Sequence, residues 1–219
     1  MKKYFEILKK CPLFYGINEE NLEKMLICLN AKIEFFDKKY TIISEGNPAK
    51  YLGIMLSGSA QIIKEDYYGN RSILGNISPT EIFGEAFACA GIETFPISVT
   101  ANEPSEIMLI DCNRILYTCS NGCGFHRQLI FNLMTDLANK VLLFHKKIEI
   151  TSKRTTREKL MTYLMITAKE LKTNHFYIPF NRQELADYLE VERSGLSLEI
   201  SKLIKEGVIN SQKNYFELL

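Results

Sequence analysis

Hydrophobic spacing changes twice along the 219-residue chain. From about Lys2 to Leu29 apolar positions recur every three or four residues, with Leu22, Met25, Leu26 and Leu29 on one stripe, which predicts helix. From Ile33 to Asp111 the period shortens to two in a series of short runs, KIEFF, YTIIS, YLGIML, AQIIKED, RSILGNI, ISVTA and EIMLID. Gly46, Gly58, Gly69-Asn70 and Gly75 fall between them, and short strands with glycine turns at this spacing predict a β-sandwich or barrel. The stretch GFHRQLIFNLMTDLANKVLLFHKKIEI then returns to helical spacing. It sets Phe125, Leu129, Leu133, Leu137, Val141, Phe144 and Ile148 on one face, widened by Ile130, Leu142 and Leu143. Such a face suits a coiled-coil-like dimer, the alternative being a helix that lies across its own barrel. Beyond TSKRTT, residues from Arg157 to Leu219 form a second compact unit of short helices.

The end of this unit has the clearest local grammar. Asn181 followed by Glu184 is a capping box, so a helix starts at Arg182, with Leu185, Ala186 and Leu189 as its apolar face. EVE makes a tight turn. A second helix follows from about Arg193 and buries Leu196, Ile200, Leu203 and Ile204; Gly207 ends it, and VINSQKNYFELL reads as a hairpin. Helix, turn, helix and hairpin in that order predict a winged helix-turn-helix, in which the start of the second helix enters the major groove of DNA. Arg193 is then the candidate for a bidentate contact to guanine, with Ser194 and Ser197 reaching bases or phosphates and Glu199 expected on the same outward face. Asn181, Arg182 and Gln183, at the start of the first helix, are placed for phosphates.

Charge qualifies this picture without reversing it. Twenty-seven basic and 26 acidic side chains leave a net charge of +1, and residues 151–219 carry eleven Lys or Arg against nine Asp or Glu. No overall field advertises a polyanion, although a local patch suffices for one. The near-neutral second unit keeps open another class of function, a small-molecule or metal and redox sensor acting through a protein partner. No nucleophile–base pair, phosphate loop or paired carboxylate at catalytic spacing appears, so an enzyme is not expected. No window is long and apolar enough to span a bilayer, and MKKYFEILKK has no signal-peptide core, which together predict a cytoplasmic protein.

Two further stretches carry candidate chemistry. EIFGEAFACAGIETFPISVT opens like a phosphate-cradling loop, with Gly84, Glu85 and Ala86, but it holds no cation, and Pro96 and Ile97 stand where one is wanted. Gly84 and Glu85 also suit a tight turn with no ligand at all. In CSNGCGFH, Cys119, Cys123 and His126 lie at helical spacing, and Cys112 makes a possible fourth ligand for zinc or iron. Gly122 and Gly124 argue instead for a corner with small buried cysteines. No cofactor is specified. The six cysteines of a cytoplasmic chain are not expected to form stable disulfides.

In the order LFYGINEENLEKML, spaced glycines, IFGEAF, TTREKLMTYL and RQELADYLEVERSGLS, the chain resembles the family of the cyclic-AMP receptor protein and the fumarate–nitrate regulator over nearly its whole length. The resemblance implies an α+β protein. Residues 1–112 are an effector-sensing double-stranded β-helix (a jelly roll like cyclic-nucleotide-binding domains) with N-terminal helices, 113–150 a corner and long dimerisation helix, and 151–219 the winged helix-turn-helix. It implies a homodimeric transcription regulator that reads a palindromic double-stranded site, responds to a small-molecule effector and has RNA polymerase as a possible partner. The effector pocket would comprise Gly84, Glu85, Ala86, Pro96, Ile97, Leu142 and Leu143. Pro96 and Ile97 replace the family's phosphate-neutralising arginine, and Leu142 and Leu143 its purine-binding hydroxyls, so cyclic AMP is not the expected effector. Ser194 and Leu198 also depart from the receptor protein's recognition helix, which changes the expected operator.

Overall fold

The structure is a computed structural model that describes residues 2–117 and 125–219. The chain divides into two compact units, Met1–Asn70 with Leu74–Lys140, and Arg71–Ile73 with Val141–Leu219.

The first unit begins with α1 (Phe5–Leu8) and α2 (Glu19–Cys28), the latter capped by Asn18, whose side chain accepts a hydrogen bond from the Asn21 amide at 2.9 Å. Leu22, Met25 and Leu26 of α2 are buried, as their stripe predicted. Six strands follow: β1 (Lys32–Phe36), β2 (Thr41–Ile43), β3 (Tyr51–Ser57), β4 (Ala60–Glu65), β5 (Arg71–Ile77) and β6 (Ile82–Phe83). Next come the short helix α3 (Glu85–Cys89), β7 (Ser98–Ala101), β8 (Ser105–Asp111) and α4 (Asn113–Leu116). They build two four-stranded sheets in the orders β1-β8-β3-β6 and β2-β7-β4-β5. The dipeptide strand β6 and the five-residue α3 carry too few residues to show a period, and the pattern did not reveal them.

The register of β3 explains its near-continuous apolar run. Leu52, Ile54 and Leu56 join a cluster with Leu13, Phe14, Leu22 and Leu26, whereas Met55 faces a second cluster with Phe83, Phe95, Ile97 and Val99 between the sheets. Neighbouring β8 divides in the same way, Met108 and Ile110 to the first cluster and Ile107 to the second. A strand covered on both faces has no polar side to alternate with. Gly58 allows the turn after β3: its φ is +83°, and a Cβ there would lie 2.2 Å from Ser105 Oγ.

The long helix α5 (Phe125–Thr151) is one continuous element, but its apolar stripe does not act as one surface. Leu129 and Leu133 are fully enclosed in the first cluster, and the Asn132 amide nitrogen donates to the carbonyls of Leu13 (2.9 Å) and Tyr15 (2.8 Å). Phe131, Met134, Val141, Leu142, Leu143, Phe144 and Ile148 remain exposed. The predicted face therefore splits: its N-terminal part packs on the roll of the same chain.

The second unit consists of α6 (Thr156–Leu171), β9 (His175–Tyr177), α7 (Arg182–Leu189), α8 (Arg193–Lys205), β10 (Ile209–Gln212) and β11 (Tyr215–Leu218), the strands ordered β10-β11-β9. Thr155 and Glu158 form a capping box on α6, and Asn181 and Glu184 form the expected one on α7. Leu160, Leu164, Leu185, Leu189, Leu196, Leu203 and Phe216 make the core. Ile204, expected there, is 39% exposed, because Leu203 takes the inward position at the end of α8.

Lys147 near the end of α5 is only 8% exposed; its Nζ lies 3.8 Å from the Tyr188 ring centroid and donates to the Tyr188 carbonyl. Burial pulls its pKa from 10.5 down to about 8, against the opposing pull of Glu190. Between those values the unfolded chain holds a proton that the folded chain has released, so stability rises with pH above 8. Buried Tyr163 and Tyr188, whose pKa values are raised, reverse the trend above 10. Wild-type stability is therefore expected to gain about 2 kcal/mol between pH 7.5 and 9.5 relative to Lys147→Met. Urea midpoints of the two proteins at both pH values measure this, and parallel pH profiles reject it.

Candidate nucleic-acid interface and effector cassette

The N-terminus of α8 is open. Arg193, Ser194, Ser197 and Leu198 are all exposed, with Ser201 one turn further along the same face. Glu199 is not part of it: its side chain, 16% exposed, faces Arg157 at 3.5 Å and Lys202 at 3.6 Å. Arg157 also clasps Glu206 through both guanidinium nitrogens, at 3.1 and 2.5 Å, which fixes the C-terminal end of α8 against α6.

The three residues at the start of α7 take different parts. The Asn181 side-chain Oδ1 accepts from the amides of Gln183 and Glu184, so it shapes the helix start. Gln183 is exposed, its amide nitrogen donating to Asp187 at 2.8 Å. Arg182 turns inward. Its Nη2 donates to Ser211 Oγ at 2.6 Å, its guanidinium lies 4.9 Å from the Phe216 ring centroid, and its Nη1 is buried without a hydrogen bond. Partial burial lowers the Arg182 pKa. Arg182 thus ties α7 to the hairpin rather than presenting its charge outward.

A cleft of about 620 Å³ joins these elements, lined by Pro179, Phe180, Asn181, Arg182, Gln183, Arg193, Lys213 and Asn214. Lys213 was not singled out from the sequence. It occupies the two-residue turn between β10 and β11 with φ +54°, and that turn places the residue in the cleft lining. Only hairpin closure reveals this.

In the roll, Gly84 has φ +79°, and a Cβ on it would lie 3.3 Å from both Phe95 Cε1 and the Tyr51 carbonyl oxygen, so backbone and packing both require glycine. Glu85 opens α3 and is buried. The loop supplies no cation for it, as the sequence indicated, but α5 does. Lys140 Nζ lies 2.8 Å from Glu85 Oε1 and 3.0 Å from Asp136 Oδ2, and donates to the Ile82 carbonyl at 2.6 Å. Glu85 Oε2 is buried with no hydrogen-bond partner, and Asp136 Oδ2 meets Lys140 as an ion pair without hydrogen-bond alignment. Asp136 and Lys140, one turn apart on α5, escaped the sequence reading because nothing in the spacing pairs them with a residue more than 50 positions earlier. Of the other expected pocket residues, Ala86 and Pro96 are exposed, Ile97 is in the inter-sheet core, and Leu142 and Leu143 are exposed on α5.

Cys119 and Cys123 lie outside the described residues. His126 is buried, and its Nε2 lies 3.1 Å from the carbonyl oxygens of both Arg114 and Ile115, which commits that nitrogen as a donor to backbone. Cys112 turns its sulfur towards Cys89. Among the described residues no group of three or more His, Cys, Asp or Glu is arranged to hold a metal ion, and no helix is long and apolar enough to cross a membrane.

Residues 33–121 match the cyclic nucleotide-binding domain family and residues 158–219 the Crp-like helix-turn-helix domain family. The chain is 21% identical over 189 residues to the transcriptional activator protein FnrA of Stutzerimonas stutzeri, covering 83% of this chain and 74% of that protein. It is 24% identical over 189 residues to the transcriptional activator protein FnrL of Cereibacter sphaeroides, covering 77% and 68%. The fold is also that of the c-di-GMP-responsive global regulator CLP of Xanthomonas campestris, with a TM-score of 0.75 at 18% identity over 92% of this chain and 99% of that one. A nucleotide-binding-type roll, a long helix and a winged helix, with both family matches in chain order, make this chain a member of the Crp–Fnr family of DNA-binding transcription regulators.

Proposed function

We propose that the protein acts as a homodimer that reads a palindromic operator through Arg193 and the exposed start of α8. The observation that carries this reading is the cleft where Arg193, Gln183 and Lys213 converge from two helices and a hairpin turn. Arg193 supplies the rigid fork that matches guanine, Lys213 a point charge for phosphate, and exposed Leu198 an apolar contact for a thymine methyl. Two such helices related by a twofold axis place half-sites about one helical turn apart.

Fluorescence anisotropy with DNA from upstream of the protein's own gene tests it, at several salt concentrations. Arg193→Ala is expected to cost about 1 to 3 kcal/mol on the specific site and to relax base preference there. Lys213→Ala should weaken all sequences alike and reduce the salt slope by about one. A salt-independent affinity, or an Arg193→Ala protein that keeps both affinity and preference, would sink the assignment and favour a sensor that acts through a protein partner.

The effector differs from cyclic AMP in this reading. Two carboxylates, Glu85 and Asp136, share one ammonium, Lys140, so the cassette retains one net negative charge. A phosphodiester brought there meets repulsion and finds the Lys140 cation already engaged. A neutral or cationic small molecule suits the site better. Calorimetric titration with cyclic AMP is expected to show no binding at millimolar concentration, and a micromolar Kd would overturn this part.

A further inference from the structure

We propose that Cys89 and Cys112 form a redox-active dithiol, which a hydroperoxide oxidises to an intramolecular disulfide that fastens α3 to the end of β8. Their sulfurs lie 2.7 Å apart, although the residues are 23 positions apart in the chain. A disulfide needs about 2.05 Å, so less than an ångström of closure separates the two states. Cys89 ends α3 and is half-buried; Cys112 follows β8, is 1% exposed, and is held by its amide donating to the Lys50 carbonyl at 3.1 Å. One cysteine is therefore partly exposed at the end of a short helix, while the other is buried at the end of the sheet.

The pair also divides the chemistry. The contact between the two sulfurs lowers the pKa of Cys89 and raises that of Cys112. Cys11 makes the contrast: burial pushes its thiol up to about 12 and leaves it inert. The Cys89 thiolate attacks the terminal peroxide oxygen, the O–O bond breaks, and sulfenic acid and an alkoxide, hydroxide in the case of hydrogen peroxide, result. The Cys112 sulfur then displaces the sulfenic oxygen, which leaves as water with the thiol proton. Two electrons pass from the sulfurs to the peroxide and one S–S bond forms. Glu85 sits one turn before Cys89 on α3, so the new bond anchors the helix that presents the buried carboxylate to Lys140.

The test uses the full chain, reduced, freed of reductant, exposed to a small molar excess of hydrogen peroxide, alkylated and cleaved after glutamate. Glu93, Glu103 and Glu106 separate the two cysteines, so their peptides stay joined only through a disulfide. A joined species about 2 Da lighter than the two thiol peptides, and reversed by dithiothreitol, is the expected result. Cys112→Ala should leave Cys89 as a sulfenic acid that dimedone traps. In Cys89→Ala, which alters the more exposed partner, Cys112 should stay a thiol at the same dose. Disulfides elsewhere, with Cys89 and Cys112 both alkylated, overturn the proposal. Hydrogen exchange reads the fastening: amides of Glu85–Cys89 should slow about tenfold or more on oxidation, and unchanged exchange overturns it.

Discussion

Val141→Asp should convert the protein from two associated chains to one at micromolar concentration and remove tight operator binding with it. Phe131, Met134, Ala138, Val141, His145 and Ile148 follow one another on α5 at alternating steps of three and four, and all six are exposed. That is the spacing of a two-stranded coiled-coil seam, as the proposed homodimer requires. A twofold interface sets each residue near its own copy, so one substitution places two carboxylates inside the seam. Each lost valine contact removes about 1.5 to 3 kcal/mol, and desolvating the carboxylates costs several more. A total above about 5 kcal/mol raises the dimer Kd by three decades or more. Analytical ultracentrifugation reads the mass directly. Asn139→Asp, exposed on the same helix but off the seam, is the control and should remain dimeric. If Val141→Asp sediments as wild type does, the seam is not the interface.

The second large effect lies in the roll. Lys140→Met leaves the carboxylates of Glu85 and Asp136, 3% and 13% exposed, without their common cation. Breaking a buried ion pair from one side costs about 3 to 5 kcal/mol, because the remaining charge stays desolvated and unpaired. For a protein of this size that lowers the Tm by roughly 10 °C. Glu85→Gln added to Lys140→Met removes the more deeply buried charge and should recover at least half of the loss. A Lys140→Met protein that melts within about 2 °C of wild type would show that the ion pair contributes little to the fold. This pair also links α3 to the long helix within one unit, so its loss should reach any signal that passes from the cassette to α5.

The winged helix was legible because its information is local. A capping box, a tight turn and an apolar face within one or two turns are short-range features, and α7 and α8 begin at Arg182 and Arg193 as their caps and spacing indicated. The main strands of the roll were legible for the same reason, since each carries its own period and its own glycine boundary. Recognition of the family rested on the order of these local features and needed no long-range contact.

What escaped the sequence depends on partners distant in the chain. The stripe on α5 read as a single face, yet Leu129 and Leu133 close a core with Leu13 and Phe14 while Val141, Phe144 and Ile148 further along it stay exposed. Periodicity reports that a residue is apolar, but only packing decides what covers it. The missing cation of the loop was a true observation about residues 81–100, and it was incomplete because Lys140 reaches Glu85 from another element. Arg182 turned from the expected phosphate contact to Ser211 and Phe216, and Lys213 came to the cleft through the hairpin turn. The sequence by itself determined the longer elements, their order and the helix-turn-helix module, because caps, turns and periods act within a few residues. The tertiary structure alone decided which charges meet, which face of α5 is free and that Cys89 faces Cys112, because those facts arise only when sheet pairing and burial bring distant residues together.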